Sequence, residues 1–467
     1  ESTIDSNALY YFCFLWGSGT SAFQTEGAWN QDGKGTSIWD FFTHSSTGGK
    51  SKGDTADVVS DSYNCWEEDV EALDYLGARA YSFSLSWPRL FPDGNAAGKP
   101  NAAAVEHYSS LIERLLEKKI QPIVTLYHSD LPQVLQEQYG GWKNEKLVEL
   151  FEVYARFCFH TFGSRVKHWL TIHNPYLVAV QGYGTGVHAP GEKGGFSVCH
   201  FHFQAHARAW YIYDSHFRAS QKGKVSIVLG SHWVEPQRGE ATAANVDSCQ
   251  QSIEAVLGWF AGPIFGEGNY PDSLRKKYGR LLPTFTPEEK LWVKKSADFF
   301  ALSFGPNNLR LGRDLVHHGQ TVTPDLHRLL NWIKLEYGDL RVLVAEAGWF
   351  SEASVGREDT VAIYLMKNFI NQVLKAVKLD GVQVFGYVAW SLVDGFEWNY
   401  GYSIRRGLFY VDFNQPGCGR TPKTSAKYYR QVVADNGFHS DEPSTEVKGH
   451  FPCNFHWGIA DSTLQVT

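Results

Sequence analysis

The chain has 467 residues, 43% hydrophobic and 20% charged, a balance that supports a sizeable core and excludes a largely disordered polypeptide. A formal net charge of −7 leaves no basic field to draw in nucleic acid or an anionic membrane surface. Aromatic residues make up 15%, with 16 Trp, more than a core alone asks for and suited to a groove that packs indole faces on sugar rings.

Eight short β-rich runs are expected as strands, at 12–17, 80–85, 122–126, 169–172, 225–229, 299–304, 341–345 and 384–389. Amphipathic stretches lie between them. Tyr108, Leu111, Ile112, Leu115 and Leu116 form one stripe; Ile363, Met366, Ile370, Val373, Leu374 and Val377 form another. Thr286-Pro287-Glu288-Glu289 has the form of a capping box with Pro at the first helical position. Strands alternating with helices imply parallel βα units, and eight of them imply an α/β fold of the (β/α)8 barrel type. Periodicity alone leaves a doubly wound sheet open.

One barrel domain is expected over residues 1–433, followed by a linker rich in Asp, Glu, Pro and Ser over 434–450. The chain then begins again over 451–467. Phe455, Trp457, Gly458, Ser462 and Gln465 repeat Phe14, Trp16, Gly17, Ser21 and Gln24 at one constant offset, as the start of a second, truncated copy would. The seven Cys contain no Cys-x-x-Cys, which weakens a zinc or redox reading. No apolar run approaches the ~20 residues of a membrane span. The first residues carry no Met and no basic-then-apolar leader, a start that suits a trimmed ectodomain and a soluble enzyme equally. The basic runs Arg275-Lys276-Lys277 and Lys294-Lys295 border helical patterns and read as solvated faces.

Five segments carry a chemical signature. Phe14-x-Trp16-Gly17-x-Gly19-x-Ser21-Ala22-Phe23-Gln24-x-Glu26-x-Ala28, Tyr127-His128-Ser129-Asp130-Leu131-Pro132, Thr171-Ile172-His173-Asn174-Pro175, Val344-Ala345-Glu346-Ala347-Gly348 and Ala389-Trp390-Ser391-Leu392 through Gly395-Phe396-Glu397-Trp398 resemble the signatures of family 1 glycoside hydrolases. The resemblance runs to about residue 433. It implies that Glu346 matches the nucleophile, and that Gln24, His128, Trp390, Glu397 and Trp398 match residues that bind sugar hydroxyls or stack on the ring. Asn174 stands where the family has its general acid/base Glu. A carboxylic acid tuned near working pH can protonate a departing sugar oxygen, and a primary amide cannot.

The departures cluster around Glu346. Ser82 replaces an Arg and Phe304 replaces a Tyr that contact the nucleophile in the family, so Glu346 is expected to lack its supports. Ser129 in place of Trp leaves one wall smaller. His173 is expected to aim away from the pocket of Asn174, because neighbours on a strand face opposite sides. His200, His202 and His206 could suggest a metal, because i, i+4 histidines share a helix face, but no His-Glu-x-x-His accompanies them, and neither a metal nor a cofactor is expected.

A glycosidase-like repeat with Asn at the acid position is similar to the Klotho group. Tyr402-Ser403-Ile404-Arg405-Arg406-Gly407-Leu408-Phe409 and Ala297-Asp298-Phe299-Phe300-Ala301 support that resemblance. It implies a non-catalytic ectodomain of a single-pass membrane protein, on the extracellular face of the plasma membrane or shed from it. It also implies co-receptor action, with fibroblast growth factor receptors, for an endocrine fibroblast growth factor. The alternatives are a weak retaining β-glycosidase using Glu346 and a lectin-like module for a glycan or glycolipid.

Overall fold

Strands and helices alternate because apolar runs of period two give way to stripes of period three and four, and each stripe needs a sheet to cover it. The computed structural model describes residues 14–45, 53–195, 197–315, 317, 319–414 and 417–438. Eight parallel strands close a barrel: β1 (Leu15–Gly19), β2 (Ala80–Ser84), β3 (Gln121–Tyr127), β4 (His168–His173), β5 (Lys224–Gly230), β6 (Phe300–Phe304), β7 (Arg341–Ala347) and β8 (Gln383–Trp390). Each expected run holds one of them. The first overlaps β1 over 15–17, and its residues 12 and 13 lie outside the described residues. Each strand leads to a helix on the outside: α1 (Trp66–Leu76), α2 (Ala102–Glu117), α3 (Lys146–Phe162), α4 (Val198–Ile212), α5 (Ala243–Ile253), α6 (Leu326–Tyr337), α7 (Thr360–Lys378) and α8 (Thr424–Asp435).

The barrel interior is filled by one inward residue or two per strand, among them Leu15, Ala80, Ile123, Leu170, Val228, Ala301, Leu343, Ala345 and Val388. The opposite strand faces meet the helices; α2 buries Tyr108, Leu111, Ile112 and Leu115, and α7 buries Phe369, Ile370, Val373 and Leu374. Local signals set the helix ends. Asn101 caps α2 by accepting from Ala103 N, and α1 stops at Gly77, whose φ of 68° suits a residue without Cβ. The capping box expected at Thr286 and Glu289 is present.

The expected linker starts too early. α8 runs to Asp435 and is capped at Asn436, because its side of the helix closes the barrel seam: Trp16 Nε1 donates to Asn436 Oδ1 at 2.7 Å and Tyr429 Oη to the Gly17 carbonyl at 2.7 Å. The truncated repeat expected at 451–467 lies outside the described residues. Cys65 and Cys418 form a disulfide, and Cys158, Cys199 and Cys249 are buried free thiols.

Candidate functional site

The site lies at the carboxyl ends of the strands, and two irregularities aim its residues. On β7, Val344 pairs with Leu302 of β6, but the next pair is Glu346 with Ser303. The extra residue is a bulge, and it brings Glu346 to the interior just above the inward Ala345. On β4, Leu170 pairs with Ser226 and the next pair is His173 with Val228, three steps against two. Strict alternation from the inward Leu170 would turn His173 outward, and the bulge turns it back. Asn174 then leaves the strand at φ 50°, so both side chains enter one pocket. His173 therefore faces the pocket, contrary to expectation.

Glu346 is not bare. Arg406 Nη2 donates to its Oε1 at 2.9 Å, while Ser303 Oγ at 2.7 Å and His173 Nε2 at 2.9 Å donate to its Oε2. Burial alone would raise its pKa, but Arg406 and the bonds from His173 and Ser303 outweigh it and hold the carboxyl far below its usual range. The expected loss of supports is thus corrected: neither Ser82 nor Phe304 serves the carboxylate, and three other residues do. Phe304 faces outward onto Phe369, with ring centroids 5.5 Å apart, because it follows inward Ser303 on the strand.

Asn174 is tied into the fold. Its Nδ2 donates to Asn308 Oδ1 at 2.9 Å, and Asn308 Nδ2 donates in turn to the Ser303 carbonyl at 3.0 Å and Ser303 Oγ at 3.1 Å. Its Oδ1 accepts from Leu177 N at 3.3 Å. An amide that donates on one side and accepts on the other suits this chain, and it titrates nowhere in the accessible range.

Of the residues matched to sugar binding, Gln24, His128, Trp390 and Trp398 line the same pocket, Glu397 lies behind Gln24, and each is engaged with protein. Gln24 Nε2 donates to the Phe396 carbonyl at 3.0 Å and Glu397 Oε2 at 3.3 Å, while its Oε1 accepts from Ser21 Oγ at 2.8 Å. Burial, opposed by Arg406 and reinforced by Glu346, pushes Glu397 up to about 8. His128 stacks on His173 with centroids 3.9 Å apart and planes 8° apart. Burial and the His173 neighbour hold His128 well below its ordinary pKa. Trp390 and Trp398 are 4% and 6% exposed. Gly19 lets Trp390 settle, since a Cβ there would come within 2.8 Å of the indole.

Gln24, His128, Trp390 and Trp398, with His188, Ser129 and Arg406, leave a cavity of about 20 Å³, room for about one water. An open, sugar-sized pocket is not what the barrel mouth holds. Three of the residues that set this state, Arg406, Ser303 and Asn308, escaped the sequence reading. Adjacent arginines flanked by Ile404, Leu408 and Phe409 were the available signal: Arg405 turns one way to Asp394, 2.6 Å away, and Arg406 turns the other way to Glu346.

The three histidines of α4 go to separate partners. His206 Nδ1 lies 2.7 Å from Thr171 Oγ1, His200 Nε2 lies 3.2 Å from Glu289 Oε1, and His202 packs on Trp142.

A closed eight-stranded barrel with an acid on β7 and an amide at the end of β4 defines a glycosidase-like protein. The glycosyl hydrolase family 1 model matches residues 9–310 and 315–438, and the chain belongs to that family. It is 53% identical to mouse beta-klotho over 97% of this chain and 43% of that protein, and 48% identical to mouse Klotho over 97% and 46%. The resemblance to the Klotho group therefore holds, and the chain spans less than half the length of these relatives. The solved structure of β-glucosidase 2 from the fungus Trichoderma reesei superposes with a TM-score of 0.83 at 36% identity, covering 90% of this chain and 98% of that one. The family thus includes enzymes alongside the Klotho relatives. No helix among the described residues is long and apolar enough to cross a membrane.

Proposed function

We propose that this chain is a non-catalytic, glycosidase-like ectodomain module that acts as a co-receptor for an endocrine fibroblast growth factor together with a fibroblast growth factor receptor. One observation carries the absence of chemistry: the position of the general acid is an amide, Asn174, committed on both sides to Asn308 and Leu177. Without a proton donor the leaving sugar oxygen must depart as an alkoxide, which costs about 10²–10⁴-fold in rate. The similarity to beta-klotho and Klotho supports the receptor role and an extracellular, membrane-anchored or shed location. Gln24, His128, Trp390, Glu397 and Trp398 are the residues we assign to ligand contact once the pocket opens.

A retaining β-glycosidase of low activity is the second reading, favoured by one fact: Glu346 is kept ionised and aimed. Incubation with aryl β-glycosides across pH 4–8 separates the two. The module should show no turnover above a Glu346→Gln control, and turnover abolished by that substitution would establish the enzyme. A binding screen against endocrine growth factors and simple glycosides tests the receptor role; saturable glycoside binding with no growth-factor binding would replace it with a lectin-like one.

A further inference from the structure

Arg406 sits where a small ligand would. Its side chain is 2% exposed, with Nη2 2.9 Å from Glu346 Oε1 and Nη1 4.0 Å from Glu397 Oε2. It lines the pocket with Trp390, Trp398 and His128, and these four leave only the residual cavity of about 20 Å³. Yet the guanidinium is sparsely held. The bond to Glu346 is the one hydrogen bond its side chain makes among the described residues, and Nε is buried without a partner. Its neighbour is a useful contrast. Arg405 Nε is buried without a partner as well, but Arg405 donates to both Asp394 and the Val411 carbonyl and lies over the rings of Tyr410 and Phe413. Arg405 is built in, and Arg406 is parked.

We propose that Arg406 is a resident, displaceable cation that closes the pocket, and that the ligands the pocket admits are those that bring a positive charge of their own: a guanidinium, an amidinium or a protonated amine, free or at the end of a peptide side chain. The reason is the charge left behind. A neutral ligand that pushed Arg406 aside would leave the buried Glu346 carboxylate to His173 and Ser303, without its permanent cation, and a buried charge stripped of its partner is strongly unfavourable. A cation restores the pair. The same logic explains how residues matched to sugar binding can persist in a closed pocket: Arg406 occupies the seat and neutralises the acid at once.

The inference rests on the reading of a pocket without hydrolytic chemistry, but it is tested by binding alone. Hydrolysis would overturn that reading without deciding this one. The probes are methylguanidinium, protonated 1-deoxynojirimycin and neutral methyl β-glucoside, measured by calorimetry and thermal shift on the folded chain. The wild type should bind the cations weakly and the neutral glucoside not at all. Arg406→Ala should bind methylguanidinium more tightly than the wild type does, and about tenfold or more tighter than it binds the glucoside, because the vacated seat then faces an unpaired carboxylate. Arg406→Ala combined with Glu346→Gln should lose that preference and accept the neutral probe. Arg406→Lys should behave as the wild type. If Arg406→Ala folds only in the presence of methylguanidinium, the proposal is supported. The double variant carries no stranded charge and should fold without it. Equal affinity of Arg406→Ala for cation and glucoside, a cation preference that survives Glu346→Gln, or a double variant that does not fold would each overturn it.

Discussion

At the scale of single residues, the carboxylate that the sequence matches to the family's nucleophile is held by partners the motifs did not point to. Glu346 is bound by Arg406, Ser303 and His173, so adding an Arg at 82 or a Tyr at 304 would supply nothing that is missing. Phe304→Tyr should instead place a hydroxyl in the apolar layer against Phe369. The expected loss is about 1–3 kcal/mol in denaturant unfolding, with no gain in turnover. Asn174→Glu alone should also fail to restore hydrolysis of an aryl β-glucoside. Its carboxylate would lose the donor role that Asn174 plays toward Asn308, and Arg406 would still fill the seat. Turnover by that single variant above its Glu346→Gln control would show that the amide is the sole defect.

Glu397 gives a pH signature. Burial raises its folded pKa to about 8, above the unfolded value of 4.5, so its contribution to stability is fully present below the unfolded value and is lost as pH rises through the folded one. Glu397→Gln should therefore remove a destabilisation that grows between about pH 5 and pH 8. Relative to the wild type the variant should gain on the order of 1–3 kcal/mol across that window. Parallel melting curves of the two proteins at pH 5 and pH 8 would contradict the assignment.

At the scale of elements, the strands were legible because each barrel run is short, apolar and followed by a helical stripe. Periodicity placed β2 to β8 within a residue or two. What it could not carry is the bulge. Alternation is the rule that assigns faces, and the bulges on β4 and β7 break it at the two positions that matter most, His173 and Glu346. Nor does any local pattern say that Arg406 will meet Glu346, since that pair forms only when the last loops fold over the barrel mouth. Helix boundaries are the converse case, where local chemistry suffices. Thr286 accepts from Glu289 N and Glu289 accepts from Thr286 N, so Thr286→Ala should cost about 1 kcal/mol. The capped helix is short and half-exposed, and amide exchange confined to residues 287–293 is the measurement that would register the loss.

At the scale of the whole molecule, two closures tie the first and last parts of the barrel domain together. The seam at Trp16, Tyr429 and Asn436 joins β1 to α8, and the Cys65–Cys418 disulfide links residues 353 positions apart. A cross-link closing so long a loop restricts the unfolded chain most, and its loss should cost about 2–5 kcal/mol. Paired Cys65→Ser and Cys418→Ser substitutions should therefore lower the melting temperature. The effect of a reductant on the wild type should match that drop, because the remaining described cysteines are free thiols.

The sequence reading of residues 451–467 as the start of a second copy bears on how binding is divided. If the proposed co-receptor role holds, one barrel with its mouth shut to about 20 Å³ leaves a growth factor the outer surface and little else. A chain extended through a complete second repeat would add a further set of contacts to the same partner. Each contact made by one repeat raises the effective concentration of the other, so affinity should rise by about 10²-fold or more over this domain alone. The two sources of binding separate by substitution. Trp390→Ala with Glu397→Gln in the extended chain should weaken growth-factor binding if the ligand enters this pocket. Unchanged affinity, with both repeats folded, would assign the growth factor to the outer surface or to the second repeat, and leave the pocket described here with the small cations that Arg406 now excludes.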